Sequence, residues 1–539
     1  MKKYALLLLF MLGVTLNSEA QSRSEATCRF FEKNYILEED GTVKERTRIT
    51  LTLNTHTSFN SLFGETFIRY NPEYQTVTIN ECYTIMEDGT KVMTPENAMN
   101  EMLPKAASDA PAYTHLREIV ITHTALEVGA EIHIDYTIET KPELTNGELD
   151  AVVTFQQMGF EIFWGNITVK LPKDKKLRWA SSDSKVQPSF GRDSTYRWSF
   201  MRQEQLENEP YAAKYNGKTR LYISTMPLET VMATMGRTTR DQVRLDPEKM
   251  SAAKNETEKF NLIAKHIESM VELCDIQPAS LMNYRHHAPS EVDRRGYGTK
   301  ADKAFLFDRL LTGEGFASDI LVSYPIDCKE PNLSGYDDLY VKVTINGEDK
   351  FYNVNGKAVN VEFIADRYKF YSLKSGSEVA VEFKKNEGTY VADITVKGDE
   401  LDIKAEKNGQ KVENVAAKLV DCGSLKMLEL PKSGLTDWGV KGIYSKRISP
   451  IELPSQLSVN EQYKVSVRDG KVVTPNREIK IDNKVGTLEI RVETSGHTVK
   501  IERKLDMKGS IVSKGNIQDF REIANAWNDE NLLKLMLTK

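Results

Sequence analysis

The stretch Gly296-Tyr297-Gly298-Thr299-Lys300-Ala301-Asp302-Lys303-Ala304-Phe305-Leu306 opens the part of the sequence whose pattern decides the fold. From Ala301 to about Leu311 it predicts a helix. Ala304, Phe305, Leu306, Leu310 and Leu311 supply its apolar positions, and Gly313 and Gly315 end it. Ile320-Leu321-Val322 then reads as a short buried strand. Tyr340 to Ile345 and Lys350 to Val354 flank Asn346-Gly347, and Asn-Gly between alternating runs is a strong hairpin signal. Upstream, Asp246-Pro247-Glu248 opens another helix, with Asp as N-cap and Pro at the first helical position. Phe260, Ile263, Ala264, Ile267 and Val271 give it one apolar stripe, and a loop follows from about Gln277 to Gly298. The middle of the chain is therefore expected to be a small α+β domain of helix, helix, strand and hairpin.

Both flanks read as β structure. Ile49, Leu51 and Leu53 alternate with polar residues, as does the run Glu131 to Ile138. Asp40-Gly41, Asp88-Gly89 and Asn146-Gly147 mark turns between such runs. Many short strands with this punctuation predict a β-sandwich before about residue 235, with Trp164, Trp179 and Trp198 packing inside it. After about Tyr371 the alternation resumes, at Tyr463, Val465 and Val467 and again at Leu488, Ile490 and Val492. A last helix is expected from about Ile517 to Leu537, with Phe520, Ile523, Ala524, Trp527 and Leu532 on its apolar side.

Two lysines, an apolar run from Tyr4 to Val14 and the small-residue site Ser18-Glu19-Ala20 predict a signal peptide over residues 1–20. Its apolar run is shorter than the roughly 20 residues that span a bilayer. No Cys follows the cleavage site, so a soluble, exported, periplasmic protein is expected, and not a lipoprotein. No later stretch is long and apolar enough to span a membrane. The net charge is -6, and removing the signal's net +1 leaves about -7, which argues against nucleic acid as a partner. Cys28, Cys82, Cys274, Cys328 and Cys422 are odd in number and widely spaced. They make neither a disulfide framework nor a zinc site. His286-His287 could hold a metal only with further ligands that the spacing does not supply. No metal or cofactor is expected.

The order of elements from Pro247 to Val354, and the stretch around Lys300-Ala301-Asp302-Lys303-Ala304, resemble the transglutaminase-like superfamily. There a Gly-Asp-Cys-Lys-Asp-Lys-Ala motif starts the helix. Glu87-Asp88-Gly89-Thr90 and Glu127 to Tyr136 resemble a β-rich domain of unknown function that precedes such cores in exported bacterial proteins. The tail from about Ile448 resembles the β domain that follows them. The resemblance implies a multidomain α+β chain. Residues 21–235 would form the β-sandwich, 236–372 a papain-like transglutaminase core, and 373–539 a β-rich domain with a terminal helix.

The resemblance also implies a Cys-His-Asp triad, and the residues depart from it at every position. The chemistry needs a thiolate at a helix start, where the dipole lowers its pKa, and a His oriented by a carboxylate. Lys300 stands at the nucleophile position, Asp338 at the His position and Asn353 at the Asp position. Thr299, Cys328 and Cys274 are the other nucleophiles within reach of the pattern, and none has the required context. The expectation is a protein without catalytic activity, binding a peptide, a protein or a glycan in a groove at Lys300, Asp338 and Asn353. The rival is a peptidase or amidase of the same superfamily with a different set of active-site residues.

Overall fold

The computed structural model describes residues 24–191, 195–239, 241–276, 286–436, 443 and 447–539. The expected signal peptide lies outside the described residues. The chain divides into two compact units. One holds residues 1–207, 218–359 and 370–379, and the other holds 208–217, 360–369 and 380–539.

In the first unit, eight strands make one sheet. Their order is Ser189–Phe190, Thr195–Gln203, Phe160–Lys170, Ala26–Leu37, Val43–Leu53, Glu131–Thr140, Gln75–Ile85 and Lys91–Met93. Ala26–Leu37 and Phe160–Lys170 run parallel, and the other neighbours are antiparallel. The alternation read at Ile49 and Leu51 sets the register, for these residues sit opposite Ile134 and Ile132. A three-stranded sheet contributes Val153, Leu221 and Ile223 to the same core as Leu51, Leu53, Ile167 and Trp198. Trp198 is fully buried and meets Trp179 edge-on at 5.8 Å, whereas half-buried Trp164 stacks on Phe30.

The middle region packs around the helix Lys300–Gly313. Ala304, Leu306, Phe307, Leu310 and Leu311 lie in one core with Phe260, Ile263 and Ile267 of the helix Glu256–Met270. Val322 of the strand Ser318–Pro325 and Val341 and Val343 of Leu339–Ile345 complete it. The hairpin closes at Asn346 (φ 53°) and Gly347 (φ 80°), the two left-handed positions a tight turn requires. The helix expected from Asp246 is two. Asp246 caps Pro247–Ala252, and Asn255, whose side chain accepts from the Glu258 N–H, starts Glu256–Met270. A strong second N-cap three residues past the first short helix favours a new start over continuation.

In the second unit a seven-stranded sheet runs in the order Gln410–Val412, Glu400–Lys407, Asn386–Lys397, Leu457–Val467, Thr498–Met507, Gly486–Ser495 and Arg477–Asp482. The terminal helix lays Phe520, Ile523, Ala524 and Trp527 against Val459, Leu488, Ile490 and Leu505. It stops at Trp527, short of the expected Leu537. Asp529 caps a single turn, and Lys534–Thr538 becomes a strand paired with Leu425–Glu429. Leu535 and Leu537 alternate inward there, a period of two that a helix cannot bury on one face. Among the described residues no helix is long and apolar enough to cross a membrane.

Candidate functional site

Thr299 caps the helix Lys300–Gly313 by accepting the Asp302 N–H, and Asp302 returns the bond to the Thr299 N–H. This capping box fixes Lys300 at the first helical position, where the helix dipole disfavours a cation. A carboxylate offsets that cost, because Lys300 Nζ donates to Asp338 Oδ1 at 2.9 Å. Asp338 is itself held. Its N–H donates to Ser323 Oγ, its carbonyl accepts the Ser323 N–H, and its Oδ1 also accepts the Leu339 N–H. The pair is partly open to solvent, with 41% and 32% of the two side chains exposed.

The first two expected positions thus meet, and the third does not join them. Asn353 ends the return strand of the hairpin, opposite Tyr340. Its Oδ1 accepts the N–H groups of Asn355 and Lys357, each at 3.0 Å, so the side chain closes its own turn. Thr299 Oγ is engaged in the cap. Cys328 is buried, with its thiol turned to the Glu330 carbonyl and pushed up by burial. Among the described residues neither lies within hydrogen-bond reach of a His. The Cys274 thiol is raised first by burial and then by nearby Asp302 and Glu272. All five cysteines are free.

Sequence reasoning gave no role to Asp302, which has no exposed surface, nor to its partner Tyr113. One carboxylate oxygen accepts the His287 N–H at 2.8 Å. The other accepts the Tyr113 hydroxyl at 2.7 Å and the Thr299 N–H at 3.0 Å, with His287 Nδ1 at 3.3 Å. Burial opposes ionisation here, but the hydrogen bonds from His287 and Tyr113 outweigh it and hold the carboxyl below its ordinary range. The spacing Thr299-x-x-Asp302 could have disclosed the cap. Nothing local could have disclosed Tyr113. His286, the other half of the His pair, is buried. Its Nε2 donates to the Met235 carbonyl, its ring lies against Phe305, and its Nδ1 has no partner. Lys303, also buried, donates to the carbonyls of Ile267 and Val271 and to Asn355 Oδ1, so it closes the end of the helix Glu256–Met270. Among the described residues no three His, Cys, Asp or Glu side chains converge as a metal would require.

Residues 39–204 match DUF3857, a domain of unknown function with a solved structure, and residues 426–537 match another, DUF3858. The first span contains Glu87 to Thr90 and Glu127 to Tyr136, on which the resemblance of that region was read. A solved structure from Parabacteroides distasonis, of a protein named as a protease candidate, superposes with a TM-score of 0.77 at 28% identity. The match covers 96% of this chain and all of that one. An M1 zinc metallopeptidase from Deinococcus radiodurans matches over 47% of this chain and 58% of its own, at 9% identity and a TM-score of 0.21, too distant to bear on fold or function. No curated protein matches.

Proposed function

We propose that this chain is a non-catalytic, transglutaminase-like protein of the bacterial cell envelope that binds a peptide at the groove beside Lys300 and Asp338. One observation carries the reading. The two positions that would hold nucleophile and base hold a Lys–Asp ion pair at 2.9 Å. An ammonium already neutralised by a carboxylate has no lone pair to attack a carbonyl. The side chain at the third position serves its own turn. A protein or a glycan is the alternative ligand, and export through the expected signal places the protein in the periplasm. The test is incubation of the full chain with peptide and amine substrates. No turnover is expected, and turnover sensitive to a thiol reagent would overturn the reading.

A second reading, a peptidase or amidase, draws on a different observation. Asp302 sits 3.3 Å from His287 Nδ1, which leaves Nε2 as the ring's available nitrogen, the arrangement of a base and its orienting carboxylate. The likeness to a protein named as a protease candidate adds to it. This reading requires peptide hydrolysis that disappears in His287→Ala. Hydrolysis unchanged in that variant would remove it.

A further inference from the structure

The second unit carries an open groove of about 620 Å³ on its seven-stranded sheet. That volume is in the range of small-ligand clefts. The groove crosses Leu457–Val467, Thr498–Met507, Gly486–Ser495 and Arg477–Asp482, which are consecutive neighbours in the sheet. Strand register sets its lining in two rows. Ser458, Asp506, Thr487 and Asp482 stand side by side across the four strands. Asn460, Lys504, Glu489 and Lys480 make the next row. The residues between the rows, Val459, Leu505 and Leu488, turn the other way into the core under the terminal helix. No aromatic or aliphatic residue stands in either row.

Charge narrows the occupant. Two lysines and three carboxylates line the groove, and each carboxylate has a cation beside it. Asp482 accepts from Lys508 Nζ at 3.0 Å, Glu489 lies 3.6 Å from Lys480 Nζ, and Asp506 accepts from Lys385. With the two signs interleaved, a polyanion or a polycation meets repulsion along with attraction. Hydrogen-bonding capacity remains. The Ser458 and Thr487 hydroxyls and Lys504 Nζ make no hydrogen bond or ion pair among the described residues. Asn460 Oδ1 is sealed from solvent and does not count among them. Asp506 stands between the two free hydroxyls in its row, with half of its side chain exposed. A hydroxyl donates and accepts, an ammonium donates and a carboxylate accepts. The ligand that matches such a set is uncharged and carries closely spaced hydroxyls.

We propose that this groove binds a neutral oligosaccharide, with adjacent hydroxyls of one sugar donating to the Asp506 carboxylate and further sugar oxygens meeting Ser458, Thr487 and Lys504. The site lies in the second unit and does not depend on the peptide reading at Lys300.

Native electrophoresis of the full chain through gels containing starch, galactomannan or xylan tests this, with polygalacturonate and chitosan as the charged comparisons. At least one of the neutral polysaccharides is expected to retard the chain. The double variant Ser458→Ala, Thr487→Val should bind about tenfold more weakly, since a hydrogen bond contributes roughly a factor of ten. Asp506→Ala, at an exposed position, should do the same and decides alone if the double variant fails to fold. Passage unretarded through all three neutral gels would overturn the proposal. So would retardation by the charged polymers alone, or retardation undiminished in the folded variants.

Discussion

Asp302 is the residue on which the most contacts of the site converge, and it makes a pH-dependent prediction. Its carboxyl titrates below its ordinary range in the folded chain, so the fold prefers the ionised form. The stability this confers is present in full above the unfolded carboxylate pKa and is lost as pH falls through the lower folded value. Asp302→Asn sets an amide N–H₂ against donors it cannot accept from, which at neutral pH should cost about 3 kcal/mol. Urea denaturation as a function of pH should show this deficit shrinking in acid, and a deficit independent of pH would contradict the assignment. Lys300 and Asp338 behave differently. An ion pair this open to solvent is worth about 0.5 kcal/mol, so Lys300→Met should barely change stability. At this scale the sequence singled out Lys300, Asp338 and Asn353 as candidates. It did not disclose that two of them bond to each other, since that depends on where the hairpin strand meets the helix start.

Turns and close approaches carry the information at the scale of elements, and two glycines separate the two causes. Gly347 has φ 80° and open space around it, so Gly347→Ala incurs only backbone strain, about 1 kcal/mol. Gly165 lies in a central strand with ordinary backbone, but a Cβ there would stand 2.2 Å from the Phe200 ring. That ring is stacked on Phe155 at 4.1 Å and cannot withdraw. Gly165→Ala should therefore cost about 3 kcal/mol by overpacking. Thermal melts of the two variants check the ordering, and the reverse ordering would show that the aromatic stack yields. The Asn346-Gly347 turn was legible because its chemistry is local. Gly165 was not, because the ring that fills its space arrives from another strand.

In the molecule as a whole, each unit has its own core, and the second is pinned by a buried charge pair. Arg503 and Glu461 are 4% and 2% exposed and meet at 2.6 Å. Arg503 also bonds the Trp527 carbonyl and lies over its ring, which joins the terminal helix to the sheet. Arg503→Ala leaves Glu461 charged and buried, at a cost of about 3–5 kcal/mol. Hydrogen exchange should show protection lost across Leu457–Val467 and Thr498–Met507, and unchanged protection there would refute the role of the pair. By itself the sequence determined the local elements: the helix after Thr299, the Asn-Gly hairpin and the alternating strands. Periodicity and turn chemistry act over a few residues, so they can be read without the fold. Tertiary structure alone decided that Tyr113 reaches Asp302 across 189 positions, and that the last residues pair as a strand with Leu425–Glu429 instead of extending the helix. Those outcomes depend on which surfaces the folded chain brings within bonding distance, and no local pattern encodes that.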